Sequence, residues 1–407
     1  MLVNLIRTQG ILAENRLDGL VASTAENVTY MTGYSNWTIY TFKDMEVYGV
    51  LSRSGEIALV VPIDAVDFLA QRPACTSRIY TYGTFYVSRK PGVDLIGAPA
   101  RIVELRESSI HRPSAAEALK QALSDLGLLS CRIGLDERGM PPQRWRALLD
   151  ALADTYVSEA SELCRSIRMI KTDEEIGRLR RSAHAVESAI QAAFANARPG
   201  MSEADLERMI RLVTVMAGAS PGHCETSAGA RGAGSFPASE EYRLQIGDVI
   251  RSDCGGRFDC YWADTGRTAA VGELPVELEV SFRALKRGIE TMLAIIKPGV
   301  SVAELAETAV ACVRDNGIPH YQRHHVGHGI GLEMYEAPLL SGRAASGDIH
   351  RLGGEEVVLE EGMVINIELP YYELGLGGLQ IEDTLVVREG GYELLTTADR
   401  EIFRVAP

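Results

Sequence analysis

Residues 247–270 read GDVIRSDCGGRFDCYWADTGRTAA. Two β-rich runs flank a short glycine-containing segment, which predicts a hairpin folded about a Gly turn. Asp253 and Asp264 fall one on each arm. A carboxylate in an apolar strand pair is costly unless something neutralises it. The hairpin is therefore a candidate metal site. Taken alone it also fits a solvent-facing pair, or aspartates bonded to turn amides.

The theme recurs downstream. MVINIELPYY (363–372) and GLQIEDTLVV (378–387) set Glu368 and Glu382 inside runs of apolar and amide residues. Buried carboxylates without partners are forced toward protonation and weaken a fold. Four of them on four strands call for positive charge, and the sequence puts Arg267 and Arg388 only at strand ends. HHVGHGIGLEMYE (324–336) adds His328, bracketed by Gly327, Gly329 and Gly331, which let backbone close in on an imidazole. One nitrogen among oxygens suits Mn²⁺, Co²⁺ or Fe²⁺, with Zn²⁺ also compatible. Four negative ligands balance two divalent cations, so two metal ions are expected.

Around this region the chain is organised as a repeat. PGMSEADL (199–206) and PGVSVAEL (298–305) each carry Pro-Gly, a Ser cap and an acidic residue three later. A helix precedes each copy and strands follow it. Two helical pairs, each followed by strands, predict a pseudo-symmetric α+β domain with its site between the halves. Thr172 to Glu175 forms a capping box that opens a long helix to about Asn196. Upstream, Leu5–Leu17 has helical spacing, and GLVAS (19–23), VYGVLS (47–52), EIALVVP (56–62) and RIGLD (132–136) read as strands, with a turn at Arg53-Ser54-Gly55. Ser114–Leu128 is helical. This alternation predicts a small α/β domain over residues 1–160, followed by the α+β domain over 161–407, with Leu163–Lys171 connecting them.

Composition narrows the function. A net charge of −14 argues against a nucleic-acid partner. No apolar stretch approaches the roughly 20 residues of a membrane span, and no signal pattern opens the chain, so a cytoplasmic protein is expected. Seven cysteines without CxxC spacing indicate neither a disulfide framework nor a thiolate zinc site.

With these residues assembled, the chain resembles the superfamily of prolidase, Xaa-Pro aminopeptidase, creatinase and methionine aminopeptidase, known for its pita-bread catalytic domain. The resemblance rests on Asp253 and Asp264 eleven apart, GHGIG at 327–331, Glu368 in NIELPYY and Glu382 in QIEDTLVV. It extends to RSIRMIKTDEEIGRLRRSA (165–183) and, in a creatinase-type N-terminal domain, to NVTYMTGYSNW (27–37). It implies that Asp253 and Asp264 hold one metal, that His328 completes the other, and that Glu368 and Glu382 share both. Glu368 would shuttle the proton, and His324 would contact substrate and stabilise the tetrahedral intermediate. A homodimer is the family's expectation. The aromatic cluster of Tyr34, Trp37 and Tyr40 either packs the N-terminal domain or, as the resemblance implies, belongs to a loop that caps the pocket of the dimer mate.

Three positions depart from the family pattern. Phe236 and Tyr335 stand where its peptidases carry His, and Gln380 stands where prolidase and Xaa-Pro aminopeptidase carry Arg. All three are expected to face substrate. The expected activity is hydrolysis of a C–N bond, with Xaa-Pro dipeptides or short peptides as substrates. The alternatives are a creatinase- or ectoine-hydrolase-like enzyme acting on a small nitrogenous metabolite, and a non-catalytic binding module. Retention of all five ligands weighs against the last.

Overall fold

The β-rich runs of the N-terminal third all enter one sheet. The computed structural model describes residues 2–42, 44–343 and 357–406, which divide into two units, Met1–Arg168 and Met169–Pro407. In the first unit seven strands lie in the order Ile110–Arg112, Ile79–Tyr82, Ile57–Pro62, Tyr48–Ser52, Gly19–Ala22, Arg132–Leu135, Tyr156–Glu159. Tyr48–Ser52 pairs antiparallel with both of its neighbours, and the remaining pairings are parallel. Val21, Val50, Ala58 and Val60 form a core with Ala118, Leu119 and Ala122 of the helix Ala115–Asp125. Most of the segment expected to be a plain connection belongs instead to a helix, Ser161–Arg168. Cys164 and Ile167 bury on it at i, i+3 spacing, and Arg168 reaches the Asn27 side chain within the same unit.

The second unit has the predicted two-fold plan. The helices Asp173–Asn196 and Glu203–Met216 share one apolar core with the sheet that contains Ser220–Ala228, Val249–Phe258 and Tyr261–Val271. The helices Val276–Ile295 and Val302–Asp315 share another with the sheet that contains Gly327–Gly329, Val364–Glu368 and Glu382–Arg388. Thr172 and Glu175 form the capping box that the sequence announced, as do Ser202 and Asp205. Ser301 caps more simply, accepting from Ala303 N.

Strand alternation sorts the side chains. Ile250, Cys254, Ala263 and Ala269 turn to the first helical core, and Ile365, Ile367, Leu385 and Val387 turn to the second. Asp253, Asp264, Asn366, Glu368, Glu382 and Thr384 have the opposite parity and take the other faces. The two sheets are linked there by Thr268, whose hydroxyl donates to Gln380 O and accepts from Gln380 N, both at 2.9 Å. No helix among the described residues is long and apolar enough to cross a membrane.

Candidate metal centre

The predicted hairpin is present, but it does not turn on glycine. Phe258 pairs with Tyr261, so the two-residue turn is Asp259-Cys260, with φ of 45° and 73°. Asp tolerates the left-handed region better than most residues. Gly255 and Gly256 lie inside the strand instead, because neighbours occupy the space their Cβ atoms would need.

Register sets the site. Asp253 lies opposite Gly266, and Asp264 lies opposite Gly255. Each glycine is the place where another side chain enters. A Cβ on Gly266 would lie 2.0 Å from Gln380 Cγ and 2.8 Å from Glu382 Oε2, and one on Gly255 would lie 2.5 Å from the His223 ring. On the second sheet Glu368 pairs directly with Glu382. Asp264, Glu368, Glu382 and His328 are all buried.

The structure brings Asp264, His328 and Glu382 together, one donor atom of each lying within 4.8 Å of the others. A second such group joins Asp253 and Asp264 to His223. His328 Nδ1 sits 2.9 Å from Gly329 O and donates to it, which directs Nε2 at Asp264 Oδ2, 3.6 Å away. Tyr335 stacks on the His328 ring, with centroids 3.7 Å apart. Glu368 is held from two sides, by Arg323 Nη2 at 3.1 Å and by His325 Nδ1 at 3.1 Å.

Four features of the site go beyond the sequence reading. Gln380 does not stand free as a substrate contact: it is fully buried, and its amide donates to Asp253 Oδ2 and Glu382 Oε2, both at 3.2 Å. His324 is exposed and packs edge-on against His325, and His325 is the one that meets Glu368. Cations do lie within the strands. Arg267 is mid-strand and buried against Asp383 and Glu187, while Arg251 Nη1 approaches Asp253 at 3.7 Å. Finally, His223 was not anticipated at all. The strand that carries it, SPGHCETSA, has no apolar run to mark it, and its register shifts between Pro221 and Cys224.

Phe236 is exposed, with the Arg231 guanidinium 5.3 Å over its ring. Trp37 belongs to the first unit, where it is exposed and pairs with Phe42. Tyr34 is buried against Phe68, and Tyr40 bonds Thr29.

Electrostatics leave the cluster short of positive charge. Burial, then the charges of Asp264, Asp253 and Glu368, pushes Glu382 well above the carboxylate range. Burial also raises Asp253, to about 6, although His223 adjoins it. Burial would raise Asp264 too, but His223 and His328 hold it at about 2. Full ionisation of all four acids therefore needs added cations. Two buried atoms without hydrogen-bond partners, Asp264 Oδ1 and His328 Nε2, are both of metal-ligand type. The donor set fits divalent metal ions.

Fold and site together define a class: a metal-dependent hydrolase, with clusters of carboxylates and imidazoles from two sheets that could hold a divalent ion. The chain belongs to metallopeptidase family M24, whose model matches residues 177–389, and a creatinase/prolidase N-terminal domain model matches residues 5–170. It is thus a metal-dependent hydrolase of the peptidase type. An Xaa-Pro dipeptidase of Pyrococcus furiosus is 32% identical over 247 residues, spanning 59% of this chain and 67% of that protein. An Xaa-Pro dipeptidase of Lactobacillus delbrueckii subsp. lactis is 24% identical over 98% of both chains. The structure of an Xaa-Pro dipeptidase from Bacillus anthracis superposes with a TM-score of 0.76, at 22% identity over 98% of both chains.

Proposed function

We propose that the chain is a dinuclear dipeptidase that cleaves Xaa-Pro bonds, with Asp253, Asp264, His328, Glu368 and Glu382 as its metal ligands. The observation that carries this reading is the convergence of Asp264, His328 and Glu382, in which Asp264 Oδ1 and His328 Nε2 are buried without hydrogen-bond partners and Glu382 cannot ionise cheaply alone. Mn²⁺, Co²⁺ or Fe²⁺ are the metals assigned.

When bound, such ions polarise the scissile carbonyl and lower the pKa of the attacking water. Glu368 is the proton carrier: Arg323 and His325 keep it ionised, so it takes a proton on a carboxylate oxygen and yields it to the leaving nitrogen. His328 is fixed in one tautomer by Gly329 O and in one plane by Tyr335. Gln380 holds Asp253 and Glu382 in a common orientation. Substrate contact is assigned to Tyr335 and to the His324–His325 pair. A homodimer, with the Trp37 segment of one copy offered to the pocket of the other, is the assembly proposed, and light scattering on the purified chain tests it.

Elemental analysis should find two metal ions per chain. Asp264→Ala, which removes a donor common to both groups of ligands, should lose both ions and at least about 10³-fold in kcat. A panel of Xaa-Pro dipeptides with Mn²⁺ or Co²⁺ should show turnover. Turnover of small non-peptide amides together with none of any Xaa-Pro dipeptide refutes the substrate assignment.

A further inference from the structure

We propose that His223 is itself a metal ligand, giving the Asp253–Asp264 site a nitrogen donor outside the five residues the sequence marks. The inference rests on the two-metal reading above and extends it. Three independent features place the imidazole there.

The first is backbone. The register between Ser220–Ala228 and Val249–Phe258 slips between Pro221 and Cys224. Cys224 pairs with Cys254 on the helical-core side and Glu225 pairs with Asp253, so alternation puts His223 on the aspartates' face, and the slip sets where along the strand it stands.

The second is space. Gly255 stands directly opposite Asp264, and a Cβ there would lie 2.5 Å from both Cε1 and Nδ1 of the His223 ring. The strand keeps a glycine where the ring must lie.

The third is donor geometry. His223 Nε2 is 3.2 Å from Asp253 Oδ1 and 3.0 Å from Asp264 Oδ1. Neighbouring donors on one ion, with bonds of about 2.1 Å, stand roughly 3.0–3.4 Å apart. Only the longer contact, to Asp253, has hydrogen-bond geometry; Asp264 Oδ1 is left without a hydrogen-bond donor. A single N–H serves one acceptor well, whereas an ion between the three atoms serves all of them.

The consequence is selectivity. Two aspartates alone make an oxygen site suited to Mg²⁺ or Mn²⁺. Adding an imidazole shifts preference toward Co²⁺ and Zn²⁺.

The test compares chelator-stripped parent, His223→Ala and His223→Leu by calorimetric titration with Co²⁺, Zn²⁺ and Mn²⁺. X-ray absorption of the Co²⁺-loaded proteins counts imidazoles. The expected result is two Co²⁺ in the parent with one imidazole per metal on average. Both variants should keep one tight site at His328, which also reports an intact fold. They should weaken the other at least about 10-fold for Co²⁺ and Zn²⁺, with a smaller change for Mn²⁺. Two unchanged sites in the variants overturn the inference alone. One ion in the parent and two in His223→Ala also overturn it, because the imidazolium would then be standing in for the metal. No binding by any of the three proteins overturns the two-metal reading, and this inference with it.

Discussion

Gly266→Ala should damage this protein far more than an added methyl suggests. The new Cβ would stand 2.0 Å from Gln380 Cγ, where ordinary contact begins near 3.4 Å, so that side chain must retreat by about 1.4 Å. It has nowhere to go. Gln380 is fully buried, and its backbone is fastened on both sides by the Thr268 hydroxyl. Overpacking of this kind costs about 1–3 kcal/mol. Displacing the amide also weakens its hydrogen bonds to Asp253 and Glu382, each of a kind worth about 1.5–3 kcal/mol. Partial loss of both brings the expected destabilisation to about 3–5 kcal/mol, with Glu382 pushed off its position as well. Calorimetric unfolding of the metal-free protein should show the loss, and Co²⁺ titration should show weakened binding. Gly10→Ala is the control. It lies within the helix Leu5–Glu14, its Cβ would meet nothing within 4 Å, and it should gain about 0.5–1 kcal/mol. Parent-like stability and metal affinity in Gly266→Ala would refute the claim that the missing side chain makes the room for Gln380 and Glu382.

Two further outcomes follow from buried charge. Burial raises Glu175 to about 7, despite its bonds to Thr172 N and the Tyr261 hydroxyl. The folded protein then binds more protons than the unfolded chain between about pH 4.5 and 7, so this group's contribution to stability falls as pH rises through that window, by at most about 3 kcal/mol. Glu175→Gln should flatten that slope in pH-dependent unfolding, and an unchanged slope would assign it to other groups. Lys171 Nζ meets Glu336 Oε2 at 2.7 Å with both side chains buried. Lys171→Met should cost about 3–5 kcal/mol by taking the cation away from a buried carboxylate, and adding Glu336→Gln should recover at least half of it in the same unfolding assay.

What could be read from the sequence was whatever leaves a compositional trace. Glu368 and Glu382 are conspicuous because each lies in a buried strand rich in Val, Ile and Leu, although Asn366, Asp383 and Thr384 are buried there too. The repeated Ser caps gave away the two helical pairs. His223 leaves no such trace, because its place beside the aspartates depends on the register of its strand and on a glycine 32 residues away. The hairpin turn was misplaced because Gly255 and Gly256 look like turn residues, yet their lack of side chains serves the His223 ring and Val186. Arg267 reads as a strand end because its strand runs on to Val271, further than the visible pattern. His324 and His325 are adjacent and chemically alike, and only the path of the backbone leading into Gly327–Gly329 decides which one faces Glu368.

The division of ligands between two sheets has a consequence for the order of assembly. Asp253 and Asp264 arrive on one hairpin, Glu368 and Glu382 on a neighbouring strand pair, and 104 residues separate Asp264 from Glu368. Each half can organise its own carboxylates locally, but neither can complete the Asp264–His328–Glu382 group. A cation seated there binds only the docked arrangement and stabilises it by mass action. On the two-metal reading, metal supply would then favour docking of the two halves, and chains refolded with Co²⁺ should reach the native state faster than chains refolded without it.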